Sequence, residues 1–170
     1  MAITYKKIAS VTVGAGGAAN IEFTSIPSTY TDVIAFFSIR TDRASNNSDP
    51  ILLYPNASSS SLSNRYLQAD GSTAGSSSVT TGRIGVAPAS TATASTFGNF
   101  AIYFTNYAGS TNKSFSADSV SENNATEAYT FLGANLWSST TAISSIRIVS
   151  ANAANFVQYS TATLYGILKA

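Results

Sequence analysis

The stretch from Phe97 to Val120 constrains the fold of this chain more than any other. It alternates with period two, turns through polar residues, and alternates again. Phe100, Ile102 and Phe104 fall on one face of the first arm, and Ala101, Tyr103 and Thr105 on the other. Asn106–Asn112 supplies Asn, Gly and Ser, and Phe115–Val120 runs back. Alternation bounded by turn residues is the signature of two antiparallel strands with one buried face. A helical chain would repeat its apolar residues every three to four positions, and this one does not.

The same period recurs along the sequence. Residues 3–13 alternate, with an irregularity near Lys7. Gly14-Ala15-Gly16-Gly17 turns the chain into Ile21–Phe23, which reads as a first hairpin. Thr31–Thr41 places Val33, Ala35, Phe37 and Ile39 on one face. Ile34 and Phe36 make the other face apolar too, so this strand is expected to be covered on both sides. Ile51–Tyr54, Arg65–Ala69, Val79–Val86, Tyr129–Trp137, Ile143–Val149 and Phe156–Leu168 complete the set. A serine-rich loop at 56–63, a Gly/Ser turn at Asp70–Ser78 and an Ala/Thr linker at Pro88–Ser95 lie between them. Roughly ten strands spaced by turn signals predict an all-β, antiparallel sandwich or barrel. No linker divides the 170 residues, which are read as one domain, 1–170.

Composition narrows the chemistry. There is no Cys and no His, so disulfides, thiolates and the commonest general base are excluded. Charged residues are only 10% and the net charge is +1, which gives no field to draw in nucleic acid or an anionic membrane. No run approaches the roughly 20 apolar residues of a membrane-spanning helix.

Several motifs invite a chemical reading. Gly14–Ala19 matches the dinucleotide pattern G-x-G-x-x-A, but that site needs a helix start facing the pyrophosphate. Ile21–Phe23 and Pro27 leave no room for one, so the glycines read as a turn and no cofactor is expected. Asp42, Asn46, Asn47 and Asp49 gather oxygen ligands in one loop, without the spacing of a calcium-binding loop; turn formation explains them, and no metal is assigned. Asp118, Glu122 and Glu127 offer carboxylates for glycoside hydrolysis, and Lys113 a base for a serine. Nothing in the sequence brings these groups together, and no catalytic residue is assigned. Nine tyrosines and one tryptophan exceed what a core needs; Tyr suits surfaces with one apolar and one wet side.

Four segments carry a resemblance: YKKIASVTV (Tyr5–Val13), FTSIPSTYTD (Phe23–Asp32), YFTNYAGSTNKSF (Tyr103–Phe115) with SVSENNATE (Ser119–Glu127), and YSTATLYGI (Tyr159–Ile167). In this order they resemble small structural proteins of tailed bacteriophages. The resemblance implies a jelly-roll sandwich that is part of the virion and is not an enzyme. It would be a capsid decoration or cement protein that binds the major capsid protein, or a receptor- or glycan-binding module of a tail or fibre. It further implies synthesis in the host cytoplasm and a homo-oligomer, with a trimer among the options. The most distinctive text falls in two polar segments. Asn106, Tyr107 and Asn112, with Glu122, Asn123 and Asn124, are therefore the expected partner contacts.

Overall fold

The computed structural model describes residues 5–123 and 127–168. These form twelve strands and no helix: β1 (Tyr5–Thr12), β2 (Asn20–Phe23), β3 (Asp32–Ile39), β4 (Ser48–Pro55), β5 (Leu62–Ala69), β6 (Ala74–Val79), β7 (Arg83–Pro88), β8 (Gly98–Phe104), β9 (Lys113–Ser121), β10 (Tyr129–Trp137), β11 (Ile146–Ser150) and β12 (Thr161–Ile167). An eight-stranded sheet runs β1-β12-β3-β8-β9-β10-β5-β6, and a four-stranded sheet runs β2-β11-β4-β7. All pairings are antiparallel. The molecule is an antiparallel β-sandwich.

The core lies between the sheets and is built from the alternation described above. Phe100, Ile102 and Phe104 of β8 are fully buried, as are Val33, Ala35 and Ile39 of β3 and Ile51 and Leu53 of β4. Phe104 stacks on Phe115 of β9, with ring centroids 4.5 Å apart and planes 28° apart. β9 buries every second residue from Lys113 to Ser121, and β10 every second residue from Phe131 to Trp137. The strand alternation in the β8–β9 hairpin and in β10 thus translates directly into an inner and an outer face.

One glycine is obligatory. β7 crosses close beneath β8 and β9, and Gly85 sits there at φ +144°. A Cβ at that position would run into the Ser119 hydroxyl and the Phe100 ring. Only glycine accepts both the dihedral and the approach.

Three expectations are corrected. β1 and β2 are not a hairpin, because β1 pairs with β12 and β2 with β11 in the other sheet. The glycine turn carries the chain between sheets: the Gly17 amide donates to the Gly14 carbonyl, and Ala18 bridges to the buried Phe156. β3 is not covered on both sides, since Phe36 is 42% exposed on the outer face. Ala74–Ser78, expected inside a turn, forms with Val79 the strand β6, and the strand expected at Val79–Val86 begins only at Arg83 as β7. The irregularity near Lys7 is present as a register shift between Lys7 and Ala9.

Loops are fastened by side chains. Arg40 is buried without a carboxylate partner among the described residues. Its guanidinium donates to the carbonyls of Ala92 (2.9 Å) and Thr93 (2.7 Å), and to both the carbonyl and the hydroxyl of Thr96 (3.2 Å each). These bonds nail down the Ala/Thr linker, and burial lowers the Arg40 pKa. The oxygen-rich loop is fastened in the same way. The Asp42 carboxylate accepts from the backbone and side-chain nitrogens of Asn155, and Asp49, a residue of β4, accepts from Asn152.

Candidate partner-binding surface

Four strands of the large sheet, β9, β10, β5 and β6, continue it beyond β8. Their inner face is closed by β7 and by Arg83, whose guanidinium lies 4.9 Å from the Tyr66 ring centroid and donates to the Tyr66 hydroxyl and to Gln68. Tyr66 in turn stacks on Phe131. Beneath them, the Asn64 amide donates to Asn135 and to the Arg83 carbonyl. This polar and aromatic packing holds the extension flat against the sandwich.

The outer face of the extension is open. Register places Leu67 of β5 opposite Leu132 of β10, and Leu132 opposite Asp118 of β9. Leu67 is 59% exposed and Leu132 54%. Val120, Leu136 and Phe36 are further large apolar residues in solvent on the same sheet. The next row reads Ser78, Arg65, Ala134, Ser116, Tyr103 across five strands. Arg65 and Tyr103 stand about 14 Å apart, three strand spacings, over the small residues Ala134 and Ser116. The result is a groove of about 850 Å³ with a small-residue floor.

Tyr103 is held in the groove wall. Its hydroxyl donates to Asp32 at 2.6 Å, and the other Asp32 oxygen accepts the Asn106 amide at 2.8 Å. The bond to a carboxylate raises the Tyr103 pKa to about 12. At the far side, Asp70 closes the β5–β6 turn by accepting from the backbone of Ser72 and Thr73 and from both hydroxyls. Those bonds hold its carboxyl well below the usual range.

The residues singled out from sequence separate in three dimensions. Asn106 and Asn112 are exposed in the β8–β9 turn. Tyr107, between them, is not a surface residue: it is fully buried, and its hydroxyl donates to the Pro27 carbonyl. Burial raises its pKa. Glu122 is exposed, whereas Asn123 is buried, and Asn124 lies outside the described residues. The turn and the loop sit at opposite ends of the nine-residue β9, about 27 Å apart at strand rise. They do not form one patch.

The other candidates have local structural tasks. Lys113 is buried, and its amine donates to the carbonyls of Gly109 and Thr111, bracing the β8–β9 turn from inside. Burial lowers its pKa. Asp118 projects from the outer face of β9, and Glu127 accepts from the Tyr129 hydroxyl. Among the described residues no three Asp or Glu side chains cluster as metal ligands. The sequence reading missed the exposed Leu67–Leu132 pair. A leucine within a strand looks like core until its facing is fixed by its neighbours.

Fold and surface together define a class: an antiparallel β-sandwich whose larger sheet is extended by four strands and leaves a mostly uncharged outer face in solvent. Compared with known proteins, the chain matches no family model, no curated sequence and no solved structure.

Proposed function

We propose that this chain is a virion structural protein, a capsid decoration protein that binds the outer surface of the major capsid shell and stabilises it. The observation that carries the reading is the cross-strand pair Leu67 and Leu132, exposed on a sheet face with little charge. Apolar side chains in solvent on an ordered sheet favour a partner that buries them. Ser, Ala and Thr around them can pack and hydrogen-bond without a strong charge match. A protein that binds only the assembled lattice stabilises that lattice by mass action.

The strand order supports a jelly roll as the underlying architecture. β1-β12-β3-β8 in one sheet opposes β2-β11-β4-β7 in the other. The chain passes between sheets at β1–β2, β2–β3, β3–β4, β4–β5, β6–β7, β7–β8, β10–β11 and β11–β12. The hairpins β5–β6 and β9–β10 are then additions that widen one sheet. Jelly rolls serve in viral capsids and in lectins, and that link is an analogy of fold, added to the resemblance of the sequence segments.

Co-sedimentation of the purified chain with mature capsids tests the reading. Wild-type protein is expected to bind, and L67E/L132E to lose binding while keeping its circular dichroism and melting temperature. Failure of the wild type to bind, together with equal heat and osmotic resistance of particles lacking it, would sink the proposal. A second reading, a glycan- or receptor-binding module of a tail or fibre, is favoured by the groove between Arg65 and Tyr103. It predicts binding to a glycan array that Y103A weakens, and few copies per particle instead of a shell-wide complement.

A further inference from the structure

The geometry points to β6 as a self-pairing edge: two copies of this chain join β6 to β6 in antiparallel register, making one continuous sheet across a two-fold axis. The argument begins with the sheet edges. An unpaired edge strand invites another strand, and proteins normally block it with charge, proline, a bulge, shortness or cover. Three of the four edges here carry such a block. β1 has Lys6, Lys7 and a register shift. β2 is four residues long, and its Glu22 is tied to Arg147 of β11 at 3.0 Å. β7 is buried along most of its length, ends in Pro88 and pairs irregularly with β4.

β6 carries none of these blocks. Its six residues, Ala-Gly-Ser-Ser-Ser-Val, have no charge, no proline and no register shift against β5. Ala74 to Ser78 are exposed, so neither face of the strand is held by packing. Its order comes from the β5 ladder and the Asp70 turn alone. Its outer row of backbone donors and acceptors has no partner strand among the described residues.

The partner that fits this edge is a second copy. A two-fold axis normal to the sheet at Ser77 sets Ser77 opposite itself, Ser76 opposite Ser78 and Gly75 opposite Val79. That register keeps outer faces together, because directly opposed residues in a ladder share a face. Ser76 and Ser78 share the outer face with their register partners Leu67 and Arg65. Serine meets serine and Gly75 leaves room for Val79, without clash or like charge, and the contact is isologous and closes on itself. The product is a dimer, where the sequence alone allowed a trimer. Pairing through a single six-residue strand buries less than a standard interface, so dimerisation is expected to depend on concentration.

The chain has no cysteine, so Ser77→Cys creates a single reporter. Directly opposed residues lie about 4.5–5.5 Å apart at Cα, within disulfide reach. On mild oxidation S77C is expected to form a covalent dimer at least about tenfold faster than S110C, an exposed control in the β8–β9 turn; encounter alone would give equal rates. Sedimentation equilibrium of the wild type is expected to show a monomer–dimer equilibrium that S76K/S78K abolishes while the fold is kept. A wild type that stays monomeric at every concentration, an oligomer indifferent to S76K/S78K, or equal cross-linking of S77C and S110C would each overturn the proposal. So would a monomer whose β6 amides gain protection only when another protein is added.

Discussion

Replacing Phe104 by alanine is the most direct test of how the sandwich is held together. Phe104 has no exposed surface, lies opposite the equally buried Val33 across the β3–β8 ladder, and stacks on Phe115. Truncating a buried Phe removes its transfer free energy and leaves a cavity, together about 3–5 kcal/mol. The stacked partner adds about 0.5–1.5 kcal/mol beyond burial. The structure therefore places F104A well inside that range, at about 4 kcal/mol. In a domain of this size that lowers the melting temperature by about 8–16 °C. Equilibrium urea unfolding, followed by Trp137 fluorescence and by circular dichroism, measures it if the two probes coincide. A double-mutant cycle with F115A should return a coupling of about 0.5–1.5 kcal/mol. F36A is the internal control: Phe36 is in the neighbouring strand but faces solvent, and its loss should stay under about 1.5 kcal/mol. A cost for F104A under about 1 kcal/mol, or one equal to that of F36A, would refute the facing of β8.

Other outcomes follow from single contacts. G85A should destabilise by about 2–5 kcal/mol, combining backbone strain with overpacking against Ser119 and Phe100, and S119A should relieve part of it in unfolding assays. Because the fold raises the Tyr103 pKa to about 12, it favours the neutral phenol. That contribution is complete below the unfolded value near pH 10 and disappears as pH rises through about 12; Y103F should flatten the alkaline limb of the stability profile. Arg40→Met keeps the stem and removes the guanidinium, so protease cleavage within residues 90–96 should accelerate well before global unfolding.

The β8–β9 hairpin was legible because its two arms alternate cleanly and one face of each is core. Phe100, Ile102 and Phe104 could be assigned inward without knowing any partner strand. β6 was illegible for the complementary reason. A run of serines carries no periodic apolar signal, and its extended conformation is fixed by β5, whose text lies elsewhere in the chain. Sheet membership was illegible too: β1 and β2 read as a hairpin because adjacency in sequence is the only pairing a local pattern suggests. Tyr107 misled because a polar neighbourhood hides an apolar ring. Asn106 and Asn112 are solvated, yet the ring between them turns inward and satisfies its hydroxyl on Pro27. Leu67 and Leu132 were the reverse case, apolar residues whose outward facing depends on the register of β5 against β10.

The pairing of β1 with β12 has a consequence for biosynthesis. β12 lies between β1 and β3, so the first strand has no hydrogen-bonding neighbour until residues 161–167 have been made. β3 likewise waits for β8 on one side and β12 on the other. A nascent chain on the ribosome therefore holds two segments, β1 and β3, whose sheet partners lie far along the sequence. Completion of the large sheet on its β1-β12-β3 side is expected to be a late event governed by closure of long loops, and slow by the standards of domains rich in local contacts. The lysines at the start of β1 then have a second use: they keep that strand from pairing with a neighbouring nascent chain while it waits for its own last strand.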